Sequence, residues 1–275
     1  MKIGSNDYKL VYLDTNALRE IVLNNNQSLS NFIDKFLNLD SLKYAPVFSI
    51  YNVFELKPYK DIYEKFIEIF SIIPCMMFLP YKLIIDEEYN AFCNNREVVL
   101  DGNIIHAFSP FGPTDSFELQ KFLENLWNNE VIKNNIILEI VGLKEVANTW
   151  NDTKASYYSI SNVLKPSDLR KLYFKLERET IIKDLRVHGI DIINDLDIKR
   201  LPGIRAMEYS QFMKIYDRKK SINPNDVMDV KMSCFIPYVD AVITEVYQAE
   251  LYKNMKSFIR QLKDIEIFGV NYLKP

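Results

Sequence analysis

The chain has 275 residues, 48% of them hydrophobic and 26% charged, the balance of a globular protein with a sizeable core in one large domain or two small ones. A formal net charge of −3 excludes a global polycation, so any nucleic-acid contact has to come from a local basic patch. Three widely spaced cysteines without a CxxC pair, and only two histidines (His106 and His188), argue against a Cys/His zinc site and fit a reducing cytoplasm.

The first ten residues carry no apolar signal core, so no signal peptide is expected. Leu10-Val11-Tyr12-Leu13 is a short continuous apolar run, which predicts a strand buried on both faces in a parallel sheet. Asp14 follows at its carboxyl end, where open α/β sheets place their ligands. Thr15 or Asn16 can cap a helix to about Leu23, and Asn24-Asn25-Asn26 breaks it. Residues 29–39 carry apolar side chains at helical spacing. Pro46 to Ile50 reads as a second strand that turns at once into a helix bearing Glu55, a carboxylate favoured near a helix N-terminus.

From Lys57 to about Ile198 the pattern is mostly helical. The most apolar stretch, 67–85, is broken by Pro74, Pro80 and Lys82; it predicts two buried helical pieces and no membrane span. Residues 101–115 read as a loop. Leu201-Pro202-Gly203 reads as a break before a helix over 207–219, and a further helix is expected over 248–262 before a last strand at 265–268.

The most informative stretch is Asn225 to Glu245, which gathers Asp226, Asp229, Asp240 and Glu245 beside the apolar run Cys234-Phe235-Ile236. Ionised carboxylates held together repel, and desolvation strengthens the repulsion, so a cation is expected among them. Asn223 or Asn225 can cap a helix that places Asp226 and Asp229 on one face. Ala241 to Thr244 is a β-branched apolar run, a buried strand with Asp240 at its start and Glu245 at its end. Glu245 and Asp14 then share the carboxyl edge of the sheet, and Asp240 lies toward the other edge.

Four pieces stand in order: Leu13-Asp14-Thr15-Asn16, Ser49 through Glu55-Leu56, Asn225-Asp226 with Asp229, and Val242-Ile243-Thr244-Glu245. This order resembles the PIN-domain nucleases over the first 57 and about the last 75 residues. The resemblance implies a three-layer α/β/α core around a central parallel sheet, residues 8–57 and 200–275 of a single domain, with a large mainly helical insertion at about 58–199. It implies metal-dependent cleavage of RNA phosphodiesters. Asp14, Glu55 and Asp226 or Asp229 would bind Mg²⁺ or Mn²⁺, and Glu245 would take the fourth acidic place. There the commoner Thr-x-Asp pattern is replaced, because residue 246 is Val. Asn16 and Thr244 would support the site, with Asp240 in a structural or outer role.

For an RNA substrate, the run Arg218-Lys219-Lys220 just before the acidic helix is the candidate phosphate contact; a solvated helix end is the plainer reading of the same residues. Two other functions compete. One is a catalytically inactive PIN-like scaffold or binding protein. The other is a phosphatase-like phosphoryl transferase with Asp14 as nucleophile, against which stands Asn16 where that class usually has a second Asp. The RNA target, cleavage of DNA, an inhibitory partner protein and the oligomeric state stay open at this level.

Overall fold

The computed structural model describes residues 2–3, 6–23, 27–37, 44–108, 118–159, 163–190, 192 and 196–274. The break expected at Asn24 to Asn26 and residues 109–115 of the expected loop lie outside them. The chain is an α/β protein. Besides a short antiparallel pair, Lys2–Ile3 with Asn6–Asp7, its strands are β1 (Lys9–Leu13), β2 (Tyr44–Ser49), β3 (Cys75–Phe78), β4 (Ile105–Phe108), β5 (Ala241–Thr244) and β6 (Glu266–Gly269). These six strands form one sheet in the order β4-β3-β2-β1-β5-β6. All neighbours are parallel except β3 and β4, which pair antiparallel.

The helices are α1 (Thr15–Leu23), α2 (Gln27–Phe32), α3 (Ile50–Leu56), α4 (Lys60–Phe70), α5 (Tyr81–Cys93), α6 (Glu118–Asn128), α7 (Glu130–Tyr158), α8 (Pro166–Val187), α9 (Pro202–Tyr216), α10 (Pro224–Met232) and α11 (Val246–Met255). No helix among the described residues is long and apolar enough to cross a membrane.

The chain divides into two compact units. The first comprises residues 1–83, 100–127 and 238–275 and holds the whole sheet. Strands β1, β2, β3 and β5 are buried from end to end, apart from Lys9 at the start of β1, as parallel strands covered on both faces must be. Phe48 of β2 meets Phe66 and Phe70 of α4 edge-on, at centroid distances of 5.1 and 5.6 Å. Sheet and helices are compatible with a three-layer arrangement.

The second unit comprises residues 84–99 and 128–237 and is helical. Tyr173 of α8 packs edge-on against Tyr209 and Phe212 of α9. The start of α9 is held by a buried carboxylate: Glu88 of α5 accepts the backbone N–H groups of Gly203 and Ile204. Two otherwise orphaned helix donors are thereby satisfied, and Pro202 at the first turn needs none.

Four expectations need correction. Residues 75–78 are a strand and not part of a buried helix, and 105–108 form the antiparallel edge strand, not a loop. Helix α9 begins at Pro202 and ends at Tyr216, because Glu88 caps it where the sequence shows only a Pro-Gly break. Helix α11 ends at Met255, followed by a short 3₁₀ turn at Arg260–Leu262.

Candidate functional site

In the sheet unit, the strand order reverses at β1: β2, β3 and β4 lie to one side of it, β5 and β6 to the other. The crevice at the carboxyl ends of β1 and β5 is therefore a topological switch point, where open α/β sheets bind ligands. Register puts Leu13 opposite Ile243, so Asp14 and Thr244 are the next residues along their chains. Asp14 is buried, and both its carboxylate oxygens are engaged. Oδ1 accepts the Ala17 N–H at 2.7 Å, which caps α1. Oδ2 accepts the Glu245 N–H at 3.0 Å, across the crevice. Glu245 is the N-cap residue of α11, so the Asp14 charge sits at the positive ends of two helices.

Glu55 comes to the same edge from α3. Ser49, the last residue of β2, caps that helix through a reciprocal pair with Asn52. Asn52 is fully buried. Its Oδ1 accepts the Tyr12 hydroxyl at 3.0 Å, and its Nδ2 donates to Thr15 Oγ1 at 3.0 Å. Thr15 in turn donates to Glu55 Oε2. The chain Tyr12–Asn52–Thr15–Glu55 thus fixes a carboxylate through the residue next to Asp14. Burial pushes the Tyr12 phenol well above its ordinary range, and the Ser49 hydrogen bond offsets this only in part, so Tyr12 stays neutral and donates. Sequence reasoning found Asp14 and Glu55 but not Asn52 and Tyr12. The Ser49–x–x–Asn52 spacing was the available signal, a capping pair directly after a strand.

Thr244 is buried at the end of β5, the Glu245 side chain is half-buried, and Asn16 is exposed. Asp240 sits at the other end of β5, where its Oδ2 accepts the Leu10 N–H at 2.8 Å and ties the start of β5 to β1.

Asp226 and Asp229 belong to the helical unit. Asn223 caps α10 and exchanges hydrogen bonds with Asp226, as a capping box. Asp226 Oδ1 also accepts from Lys214 Nζ at 3.3 Å and from Arg218. Lys214 Nζ donates to Asp229 Oδ2 at 2.8 Å. The cation expected among these carboxylates is thus supplied by the chain itself: a lysine with a fully buried side chain, four residues before the arginine. Burial alone would raise the Asp226 pKa. Lys214, the Asn223 N–H and Arg218 together outweigh it and hold the carboxyl below its usual range. Nearby, Lys154 donates to the backbone carbonyls of Lys214 and Lys220. Of the basic run, Arg218 is engaged by Asp226, while Lys219 and Lys220 are exposed.

Among the described residues no three His, Cys, Asp or Glu side chains converge as a closed metal shell requires. Comparison with family models, curated proteins and solved structures finds no match for this chain.

Proposed function

We propose that this chain is a Mg²⁺- or Mn²⁺-dependent endoribonuclease with a PIN-like core, acting at the carboxyl edge of β1 and β5. The observation that carries the reading is the convergence of Asp14 and Glu55 on the switch point of the sheet, each fixed by hydrogen bonds before any ligand arrives. The donor set suits magnesium. That ion is commonly held by one or two carboxylates, keeps several waters and takes the rest of its shell from substrate phosphate. Each Asp14 oxygen accepts a backbone N–H, so the carboxylate is held in place from both sides.

A bound divalent ion would activate a water and offset charge on the phosphoryl oxygens. The chain's own residues do the rest. The Ala17 and Glu245 N–H groups hold the Asp14 carboxylate in one orientation. Thr15, oriented by Asn52, holds the Glu55 carboxylate in one rotamer. Glu245, at the carboxyl end of β5, is the third carboxylate of the proposed site within this unit, and Asn16 and Thr244 flank the edge as supporting groups. In the helical unit, exposed Lys219 and Lys220 are the proposed RNA-binding residues.

The test is incubation of labelled single-stranded RNA and DNA with the protein in Mn²⁺, in Mg²⁺ and in chelator, beside Glu55→Gln. The proposal expects RNA cleavage that chelator and Glu55→Gln both abolish. Cleavage that persists in chelator sinks it.

A specific observation favours a second reading, the catalytically inactive PIN-like scaffold. Lys214 and Arg218 already neutralise Asp226 and Asp229, so that half of the acidic set makes no demand for a metal. Folded wild-type protein that binds no divalent ion and cuts no RNA is the outcome that selects it.

A further inference from the structure

A groove in the sheet unit takes no part in the site above. It lies between α4 and α6 and has a volume of about 570 Å³. Its floor is apolar and aromatic. Trp127 Nε1 donates to the Tyr63 hydroxyl at 2.9 Å and joins the two helices at one end. Lys57 Nζ lies over both rings, 4.3 Å from the Tyr63 centroid and 5.1 Å from that of Trp127. Ile67 and Ile72, the latter 70% exposed, add to the apolar lining. Three carboxylates line the groove, Glu64 and Glu68 one turn apart on α4 and Glu124 on α6; Lys57 is the one ammonium among the described lining residues, and Lys60 stands 3.7 Å from Glu64 in an exposed pair.

An apolar floor between acidic walls asks for an occupant with an apolar stripe flanked by cations. The walls are helices and present no open sheet edge, so an extended peptide would find no backbone partners here. A helix brings its own backbone bonds satisfied, and its i, i+4 cations match the one-turn spacing of Glu64 and Glu68. The volume lies within the range of pockets that enclose small ligands or a few side-chain anchors. We propose that this groove binds a basic amphipathic helix of a partner protein, with apolar anchors over Tyr63, Ile67 and Trp127 and lysines or arginines facing Glu64, Glu68 and Glu124. The inference is independent of the nuclease reading, because its residues and its readout are different.

The test uses the full chain carrying Trp150→Phe, which leaves Trp127 as the only tryptophan reporter. The probe is a synthetic Leu/Lys peptide of about four helical turns, patterned with leucine at i, i+3, i+4 and i+7. Two controls are a scrambled peptide of the same composition and a Leu/Glu version of the same pattern. The expected result is a saturable blue shift of Trp127 emission with the patterned Leu/Lys peptide alone. Glu64→Lys combined with Glu124→Lys should weaken it by about tenfold or more. So should Ile72→Asn, which removes an exposed apolar contact without changing the charge; circular dichroism verifies the fold. Equal binding of the scrambled or the acidic peptide overturns the proposal, as does an unshifted Trp127 or affinity unchanged by the charge reversals. A concentration-dependent shift without peptide also overturns it, by assigning the groove to a second copy of the chain.

Discussion

Replacing Lys214 by methionine removes one buried charge and little else. The stem keeps its length and its apolar packing, while the ammonium that donates to Asp226 at 3.3 Å and Asp229 at 2.8 Å is gone. Breaking a buried ion pair from one side costs about 3–5 kcal/mol, because the partner charge is left uncompensated. Two features pull the value to the low end. Arg218 still covers Asp226, and the Asp229 side chain, 28% exposed, can draw on water. The expected loss is therefore about 3 kcal/mol. At about 2–4 °C per kcal/mol for a chain of this size, that is a fall in Tm of roughly 6–12 °C. Thermal and urea unfolding at neutral pH, followed by circular dichroism, measure it. Adding Asp226→Asn and Asp229→Asn should restore most of the loss, since no carboxylate is then left unpaired. The pH dependence has a definite sign. The Asp226 pKa is depressed in the native state, so its contribution is present above the ordinary value of 3.8 and is lost as pH falls through the native pKa. The gap between wild type and Lys214→Met should close in acid. A Lys214→Met protein within about 0.5 kcal/mol of wild type at neutral pH would refute the reasoning, as would a triple variant less stable than the single one.

Three further outcomes follow from the same geometry. Gly203→Ala would place a methyl 2.7 Å from the Cys234 carbonyl oxygen and 2.8 Å from Glu88 Oε1, so denaturant unfolding should show a loss of about 1–3 kcal/mol; an unchanged midpoint would contradict the close approach. Burial pushes the Glu208 carboxyl up to about 8, and the neighbouring Asp184 adds to the rise. The native state then holds a proton that the unfolded chain releases near 4.5, so stability should fall by a few kcal/mol as pH rises from about 4.5 to 8. Glu208→Gln should flatten that slope, which urea midpoints across the range will record. Glu55→Gln keeps an acceptor for the Thr15 hydroxyl and should leave Tm nearly unchanged. Asp14→Asn has one acceptor for two N–H groups and should cost about 1–3 kcal/mol in unfolding experiments; the reverse ranking would reject the assigned bonds.

What the sequence disclosed were features with a local signature. Leu10 to Leu13 and Ala241 to Thr244 are continuous apolar runs ending in polar residues, and both are central parallel strands. Asn223 or Asn225 was the expected cap of α10, and Asn223 takes that place; Glu55 follows a strand that turns directly into a helix. What was hidden depends on partners far along the chain. Cys75 to Phe78 is too short and too poor in β-branched residues to be told from a helix, and Pro74 and Pro80 read as breaks inside one when they bracket a strand. The α9 start is concealed because its cap, Glu88, lies 115 residues away from Gly203. The need for a cation beside Asp226 and Asp229 was legible, but its identity was not. Arg218 stood in a run with Lys219 and Lys220 that read as a phosphate contact or a solvated helix end, Lys214 carried no local signature, and only packing of α9 against α10 turns that lysine inward.

Manganese binding read by electron paramagnetic resonance tests the central claim most directly, because it addresses the ion without relying on turnover. Wild type should bind Mn²⁺, and Asp14→Asn and Glu55→Gln should each lose it, with folding verified by circular dichroism. Lys214→Met should retain binding at the sheet edge. Absence of bound Mn²⁺ in folded wild type, or binding undiminished in both Asp14→Asn and Glu55→Gln, would contradict a metal centre built on these two carboxylates.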